Sequence, residues 1–331
     1  MNWDSIFSVS LEAVVGSTTI AYALAAIGLN VHFGYTGLLN FGQSAFLGVG
    51  AYGIAVTVST FDLPLWLGVA IGLTASVLLA LLLGIPTLRL RADYLAIVTI
   101  AAAEIIRLLY RATDLRKWTG ASDGLQGFSQ DFYALNPFDG SGGVDLGLVT
   151  FSEREVWILF VGWLLVALGC LVVWLLMKSP WGRVLKAIRE DEDAVRSLGK
   201  NVFSYKMQAL VLGGVIGCLG GFVFALDRAA VQPDTYGTEF TFFAYTIVIL
   251  GGAARVFGPV VGSMIFWVLL IFVDSTLSEM SNNKVLPDWF MSTTQAGSVR
   301  YILVGLGLVL LLIYRPQGIF GDKREVMLDV R

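Results

Sequence analysis

Long runs of apolar residues, separated by short polar segments, make up most of the chain. A bilayer core about 30 Å thick needs roughly 20 apolar residues in a helix, because each backbone amide must be paired within its own helix. Six runs are the clearest candidates, some of them slightly short and extended by interfacial Trp and Tyr: 65–83, 94–110, 156–177, 207–226, 258–273 and 299–314. Three others are less regular: 9–29, 38–58 and 240–252. The pattern predicts an all-α, polytopic transmembrane helical bundle of about nine spans, with eight or ten as alternatives.

Basic residues predict which loops face the cytoplasm, because cytoplasmic loops near span ends retain Lys and Arg. The densest cluster lies between 177 and 207 and consists of Lys178, Arg183, Lys186, Arg189, Arg196, Lys200 and Lys206. Counting spans outward from it places further basic residues inside: Arg89, Arg91, Arg255, Arg315, Lys323, Arg324 and Arg331. The chain is then one transmembrane domain, 1–331, with an extracytoplasmic loop at 111–154 and a cytoplasmic loop at 178–206. Nine spans put the N-terminus outside and the C-terminus in the cytoplasm.

The composition excludes several classes of function. The chain is 56% hydrophobic and 14% charged, whereas a soluble domain carries about 25% charged residues. A net charge of −3 without a long basic block argues against a nucleic-acid partner. Cys170 and Cys218 lie in apolar runs without metal or redox spacing, which predicts small buried side chains. We expect no catalytic residue, metal or cofactor in this chain.

One glycine pattern matches a nucleotide-binding motif, but its context does not support that interpretation. Residues 48–53 match G-x-G-x-x-G, but no strand or βαβ unit precedes them. Close helix packing explains them better, as it does Gly213, Gly217 and Gly221, which recur every four residues. No phosphate-binding G-x-x-x-x-G-K-[ST] loop occurs. If ATP drives this protein, another chain must bind it.

Polar residues in the segment 34–44, at the start of the 38–58 run, mark a candidate path through the membrane. The candidates are Tyr35, Thr36, Asn40, Gln43 and Ser44. Such polarity within a membrane must face protein or water, and transporters use broken helices to meet polar solutes near the midplane. For Asn40 and Gln43, path lining and helix-to-helix hydrogen bonding are equal alternatives. A second Gly/Pro break, at 251–262, indicates either another broken helix or a tight cytoplasmic turn.

Two further ionisable residues lie in apolar surroundings. Glu104 is a candidate path residue, because a carboxylate in lipid is costly. Its alternative is a local ion pair with Arg107, which lies three residues on. His32, the only histidine, is a candidate proton sensor, with a simple hydrogen bond as the alternative.

The sequence of the 178–206 loop predicts a short amphipathic helix, because it has start and end signals and an apolar periodicity. Ser179-Pro180 is typical of a helix start, and Gly199 supplies a left-handed residue at its end. An apolar stripe is formed by Trp181, Leu185, Ile188, Val195 and Leu198, beside the charged run 189–193. The pattern favours docking into a partner's groove. Lying on the membrane surface is the alternative, which four consecutive carboxylates fit poorly.

Four stretches together resemble one known family: 34–42, 88–97, 179–199 and 315–318. The chain is similar, nearly end to end, to the permease subunits of branched-chain amino-acid ABC importers. Asp193-Ala194-Val195 followed by Gly199 resembles their E-A-A-x-x-x-G coupling motif, with Asp in place of Glu and Val in place of the second Ala. The resemblance implies that the residues that couple to ATPases are Trp181, Leu185, Ile188, Glu192, Asp193, Ala194, Leu198 and Gly199.

The resemblance also implies the partners and the location. These are a homologous second permease, two cytosolic ABC ATPases and an extracytoplasmic solute-binding protein, around a multi-pass subunit of the bacterial cytoplasmic (inner) membrane. The subunit would form the translocation path for branched-chain or neutral amino acids and would not be an enzyme. A urea or amide ABC permease, or an ion-coupled secondary transporter of small polar solutes, are the alternatives. The outer stretch 119–127 is either a platform for the binding protein or a turn-rich connector.

Overall fold

The structure is a computed structural model that describes residues 3–89, 92–140, 142–145, 147, 149–282, 293–315 and 317–321. Its helices are α1 (Trp3–Val15), α2 (Ser17–Leu29), α3 (Gln43–Ser59), α4 (Leu65–Thr87), α5 (Ala92–Arg111), α6 (Arg116–Thr119), α7 (Gln130–Ala134), α8 (Glu153–Lys178), α9 (Pro180–Glu190), α10 (Glu192–Ser197), α11 (Val202–Arg228), α12 (Thr238–Gly251), α13 (Gly258–Asn282) and α14 (Thr293–Tyr314). Residues used above that lie outside the described ones are Leu90, Arg91, Pro316, Lys323, Arg324 and Arg331.

The prediction of an all-α bundle with broken helices is confirmed. Within the described part of the chain, five helical stretches are long and apolar enough to span a membrane: Trp3–Tyr35, Leu65–Thr87, Glu153–Lys178, Val202–Arg228 and Gly258–Met280. The first of them joins α1 and α2 through to the end of a π-helical segment, Asn30–Tyr35. α3 has 17 residues and α12 has 14, which makes both shorter than a full span. The count of nine spans stays a prediction.

The centre of the bundle is formed by α2 and α11. In an apolar stretch of 18 residues within each span, 72% of the residues are buried in Trp3–Tyr35 and 78% in Val202–Arg228. The corresponding share in Glu153–Lys178 is 33%. These two helices therefore form the core, while α8 lies at the periphery. Large apolar side chains are exposed on the outer helices, including Leu82 on α4 at 71%. An exposed apolar surface of this kind requires lipid or a further membrane helix against it.

Glycines bring the central helices into backbone contact. A Cβ atom at Gly213 on α11 would overlap the carbonyl oxygen of Gly28 on α2, and one at Gly221 would overlap that of Leu47 on α3. A Cβ at Gly50 would lie 2.6 Å from the carbonyl oxygen of Cys218. The interpretation of these glycines as packing positions is confirmed, and the G-x-G-x-x-G match at 48–53 lies within α3.

Short elements close one face of the bundle between α5 and α8. They include 3₁₀ helices at Thr113–Leu115 and Ala121–Asp123, α6, α7 and the strands β1 (Leu125–Gln126), β2 (Val144–Asp145) and β3 (Thr150–Phe151). β1 pairs antiparallel with β4 (Ala230–Val231), which follows α11, and β2 pairs with β3. α8 then begins with a capping box, in which Ser152 and Glu155 bond each other's backbone amides.

Hydrogen bonds show that the loops between the helices lie on two opposite faces of the bundle. On one face, Ser59 and Thr60 at the end of α3 donate to the carbonyls of Gln126 and Trp118. On the other, α9 and the turn after α12 both bond the π-helical segment. The 111–154 and 178–206 loops therefore lie on opposite faces, as the alternation of spans requires. Which face is cytoplasmic stays a prediction.

Candidate functional site

The α-helical structure is interrupted between α2 and α3, and we call residues 30–42 the 30–42 segment. The π-helical turn Asn30–Tyr35 ends α2, and Gly37 then adopts a φ of +73°, a conformation that glycine reaches without strain. Tyr35 is 2% exposed, and the hydroxyl of Thr36 donates to the carbonyl of Val31 at 2.8 Å. The break is therefore a packed, hydrogen-bonded feature of the chain.

This break lies deep in the bundle. Gln43, the first residue of α3, packs against Gly213 and Gly217 of α11. At 1.5 Å per residue from Val202, those glycines lie roughly 16 and 22 Å along a helix that is about 40 Å long. α3 therefore starts beside the middle of α11, inside the bundle, and transporters use helices interrupted in this way to meet their solutes.

Asn40 and Gln43 form the centre of a buried polar network, and both are 0% exposed. The Asn40 amide nitrogen lies 3.3 Å from the Gln43 side-chain oxygen, to which it donates. The Gln43 amide nitrogen donates to the carbonyls of Ala25 and Gly213, each at 3.2 Å. Of the two alternatives, this conformation shows helix-to-helix hydrogen bonding. A role of the same residues in the path stays a prediction.

His32 belongs to the same network. Its Nε2 lies 3.1 Å from the carbonyl oxygen of Leu210, and its Nδ1 lies 3.1 Å from the amide nitrogen of Asn40. Because a carbonyl only accepts, Nε2 must carry the hydrogen, and Nδ1 accepts from Asn40. Both ring nitrogens are thus satisfied with a neutral imidazole, which matches the hydrogen-bonding alternative rather than a proton sensor.

The start of α3 is held by hydroxyl groups from two other helices. The backbone amide of Phe41 donates to Oγ1 of Thr99 on α5 at 3.0 Å, and that of Ser44 donates to Oγ1 of Thr241 on α12 at 2.9 Å. Ser44 is 0% exposed, and its own hydroxyl has no hydrogen-bond partner among the described residues. Thr99 and Thr241 were not predicted, because each is one hydroxyl in an apolar helix and only the fold brings it to α3.

The second break is a turn between α12 and α13, residues 251–258. Gly252 has a φ of +104° and Ala254 a φ of +58°. The turn is bonded to the 30–42 segment by Asn30, whose Oδ1 accepts from the amide of Ala254 at 2.8 Å and whose Nδ2 donates to the carbonyl of Arg255 at 2.9 Å. The tight-turn alternative is thus the one observed, and the two breaks are in direct contact.

Glu104 forms a local ion pair, which is the alternative that the sequence offered. Arg107 donates through Nε to Oε2 at 3.0 Å and through Nη2 to Oε1 at 2.5 Å. Arg107 also bonds Asp234, and Arg111 lies 3.6 Å from the same carboxylate. Sequence analysis missed Asp234, since nothing in the 3₁₀ helix Pro233–Tyr236 indicates that it faces α5. The Glu104 side chain remains 39% exposed.

The amphipathic stretch of the 178–206 loop forms two helices instead of one; we call residues 180–199 the 180–199 segment. Ser179 and Pro180 begin α9 as predicted, and Gly199 ends the segment with a φ of +75°. The chain is extended at Asp191, whose carboxylate accepts from the amide of Ala194 at 3.0 Å and so caps α10. The single predicted helix is corrected here, because this cap starts a new helix.

One face of the 180–199 segment packs on its own protomer. Leu185, Ile188 and Val195 are at most 5% exposed, and the Trp181 indole donates to Gln208 at 2.7 Å. Leu198, by contrast, is 80% exposed. Most of the apolar stripe therefore anchors the segment to the bundle, and Leu198 is the member of the stripe that stays exposed.

Charged residues fix the segment further. Glu192 accepts from Arg196 at 2.8 Å and also pairs with Lys206, which is only 9% exposed. Asp193 bonds Arg196 at 3.0 Å and is 89% exposed, and Ala194 beside it is also exposed. Asp193, Ala194, Leu198 and Gly199 thus form an accessible tip, whereas Glu192 lies at its base.

The cysteines fit their predicted structural role. Cys170 and Cys218 are free and buried, at 4% and 0% exposure. Over the residues that the structure describes, no group of three or more His, Cys, Asp or Glu side chains is arranged to hold a metal ion.

Comparisons with known proteins agree on a transport family. Residues 13–313 match the family described as branched-chain amino acid transport system / permease component. The chain is 32% identical to the high-affinity branched-chain amino acid transport system permease protein LivM of Salmonella typhimurium, over 96% of this chain and 72% of the relative. It is 24% identical to a probable LivM of Methanocaldococcus jannaschii, over 91% of each chain.

Among solved structures, a chain of PsaBC from Streptococcus pneumoniae in complex with Fab matches with a TM-score of 0.44 and 14% identity, over 97% of this chain and 95% of that chain. This similarity is too low to transfer any detail. The family match and the LivM similarity each cover nearly the whole chain, and such permeases move solutes without enzymatic chemistry. The chain therefore belongs to the permease component family of branched-chain amino acid transport systems.

Proposed function

We propose that this chain forms the translocation path of an ATP-driven importer of branched-chain or related neutral amino acids in the bacterial inner membrane. The single observation that carries the proposal is the 180–199 segment: an anchored pair of short helices that presents an exposed tip around Leu198 and Gly199. A secondary transporter has no need of such a segment. A subunit that takes up movement from a cytosolic partner needs both its anchor and its tip.

Four kinds of partner complete the proposed assembly. They are a homologous second permease, a pair of cytosolic ABC ATPases, an extracytoplasmic solute-binding protein and the bilayer itself. The ATPases would grip the tip of the 180–199 segment, whose motif-like residues Glu192, Asp193, Ala194, Leu198 and Gly199 we assign to coupling, with Trp181, Leu185 and Ile188 as its anchor. This assignment places the 178–206 loop in the cytoplasm.

The proposed mechanism is alternating access. ATP binding closes the ATPase pair and displaces the 180–199 segment, and the broken helices open toward the outside. The ATPases can bias the gate only through contacts that differ between its two states. We assign Tyr35, Thr36, Asn40, Gln43, Ser44 and Glu104 to the path or its gate. We assign to the buried network around Asn40 and Gln43 the role of holding the 30–42 segment in the closed state of this gate.

The substrate assignment rests on similarity, because the LivM relatives are named for branched-chain amino acids. Urea or a short amide is the second candidate, since the side-chain hydroxyl of Thr36 and the side-chain amides of Asn40 and Gln43 can form hydrogen bonds with such solutes too. Uptake by the reconstituted complex, with leucine, isoleucine, valine and urea supplied separately to the matching binding protein, distinguishes them.

The test of the whole proposal is ATP-dependent uptake in proteoliposomes that contain both permeases, the ATPases and the binding protein. Leu198→Asp should abolish uptake and release the ATPases on purification, because a charge replaces the exposed apolar tip. Leu198→Met is the matched control and should retain uptake. Uptake by this chain alone, driven by a proton gradient and lost in Glu104→Gln, would instead establish a secondary transporter.

A further inference from the structure

Arg189 on α9 makes a direct bond to the 30–42 segment. Its Nη1 donates to the carbonyl oxygen of Gly34 at 2.5 Å. Gly34 lies in the π-helical turn at the end of α2, where the regular hydrogen-bond pattern is replaced. A bond donated by a charged guanidinium is roughly twice as strong as one between neutral groups. It joins residues separated by 155 positions in the sequence.

The same face of α9 contacts the rest of this turn. A Cβ built on Gly37 would lie 3.6 Å from Cα and 3.7 Å from Cβ of Arg189, so the two main chains are adjacent. One turn earlier on α9, Nζ of Lys186 lies 5.8 Å from the ring centroid of Tyr35, within cation–π distance. Residues 34–37 therefore lie against the 180–199 segment.

A cavity lies next to these contacts, between residues 36–38 and the 180–199 segment. It has a volume of about 250 Å³. Thr36, Leu38 and Leu88 line it together with Lys206 of α11, and Ile188 and Glu192 line it from the 180–199 segment. Beside the cavity, the contacts that join α9 to residues 34–37 are those of Arg189 and Lys186.

The 30–42 segment is also hydrogen-bonded to the second break. Asn30 bonds both Ala254 and Arg255, at 2.8 and 2.9 Å. The residues just before that turn are bonded in turn by the C-terminal stretch, where the amide of Ile319 donates to the carbonyl of Leu250 at 2.9 Å. A single contact at Gly34 is therefore connected to both breaks.

We infer that Arg189 is the positioning residue that transmits movement of the 180–199 segment to the 30–42 segment, through its bond to the Gly34 carbonyl. The inference rests on the proposed function and deepens it, because it assigns transmission to one side chain that does not belong to the exposed tip. Arg189 would then act on the gate without taking part in gripping the ATPases.

The first experiment compares Arg189→Ala, Arg189→Lys and Arg183→Ala in the full reconstituted complex. Arg183 lies on the same helix, is exposed, and makes no side-chain hydrogen bond or ion pair to the described residues. Uptake per ATP hydrolysed should fall about tenfold in Arg189→Ala, which corresponds to a typical coupling between two sites. It should be partly restored in Arg189→Lys and remain unchanged in Arg183→Ala, and all three variants should retain the ATPases on purification.

The second experiment replaces the bond by a covalent one. The Cβ separation of 3.7 Å between positions 37 and 189 lies within the range of a disulfide, about 3.5–4.5 Å. Gly37→Cys and Arg189→Cys are combined after both buried cysteines are replaced by alanine. Under reducing conditions the double variant should be as uncoupled as Arg189→Cys alone. Oxidation should restore uptake per ATP, while Gly37→Cys alone controls for strain at the left-handed position.

Each outcome decides the inference. An unchanged uptake per ATP in Arg189→Ala overturns it and leaves the proposed function intact, as does a double variant that stays uncoupled after the disulfide has formed. Loss of the ATPases from purified Arg189→Ala complexes would assign Arg189 to docking and also overturn it. If the wild-type complex shows no ATP-dependent uptake, the proposed function fails and the inference fails with it.

Discussion

The side-chain oxygen of Asn30 accepts a hydrogen bond from the backbone amide of Ala254 at 2.8 Å, across 224 positions of sequence. The same side chain donates to the carbonyl of Arg255, so one amide group satisfies a donor and an acceptor of the 251–258 turn. Asn30 is 1% exposed, which leaves water little access to replace either bond.

We predict that Asn30→Ala destabilises the protein by about 1–3 kcal/mol, because it leaves buried backbone groups of the turn unpaired. The measurement is the thermal denaturation midpoint of the purified subunit in detergent. Thr74→Ala is the control, since its hydroxyl bonds only Ala70 of its own helix at 2.8 Å and is exposed. Equal midpoints for the two variants would show that Asn30 does not hold the breaks together.

A second prediction concerns the protonation of His32. Because it is the only histidine, a ¹⁵N-histidine label in a protein without a histidine tag reports this residue alone. At neutral pH we expect Nε2 to be protonated and Nδ1 unprotonated, as the bonds to Leu210 and Asn40 require. Asn40→Leu should shift only the Nδ1 resonance, since it removes the donor to that nitrogen. A protonated Nδ1 would contradict this network.

A third prediction tests backbone contact at the centre of the bundle. A Cβ at Gly213 would overlap the carbonyl of Gly28 and the ring of His32, so Gly213→Ala should cost about 3 kcal/mol or more through forced helix separation. At Gly307 on α14, by contrast, a Cβ meets nothing within 4 Å. Gly307→Ala should therefore be neutral or slightly stabilising. Yield and denaturation midpoint of the purified variants give the comparison.

The fourth prediction concerns the ion pairs at the end of α5. Arg107 bonds both Glu104 and Asp234, and the Asp234 side chain is 61% exposed. A double-mutant cycle with Arg107→Gln and Asp234→Asn should give a coupling energy below about 1 kcal/mol that decreases in high salt, as for other exposed pairs. A larger, salt-independent value would show that the assembled complex buries this site.

Glu104→Gln supplies the corresponding functional prediction. The Glu104 carboxylate is already paired with Arg107, so it has no need of a transported proton for its charge balance. Uptake by the complex should continue in this variant and should not respond to an uncoupler while ATP is present. Loss of uptake in Glu104→Gln with intact ATP hydrolysis would show that the negative charge itself is required at this position of the path.

The sequence by itself determined the class and the local signals of this protein. Apolar runs of spanning length indicate membrane helices, since each helix pairs its backbone amides within itself. Ser179-Pro180 and Gly199 determined where the 180–199 segment begins and ends, and helical spacing offered the pair Glu104–Arg107 as one of two alternatives. These are short-range relationships, which a few neighbouring residues decide.

Only the tertiary structure decided which distant residues meet. It divided the 180–199 segment at Asp191 and turned Leu185, Ile188 and Val195 toward the bundle, whereas helical periodicity alone shows a stripe without saying what covers it. It also brought Asp234 to Arg107, Thr241 to Ser44 and Arg189 to Gly34. These contacts depend on how close whole helices approach, and that distance is set by glycines on one helix meeting the backbone of another.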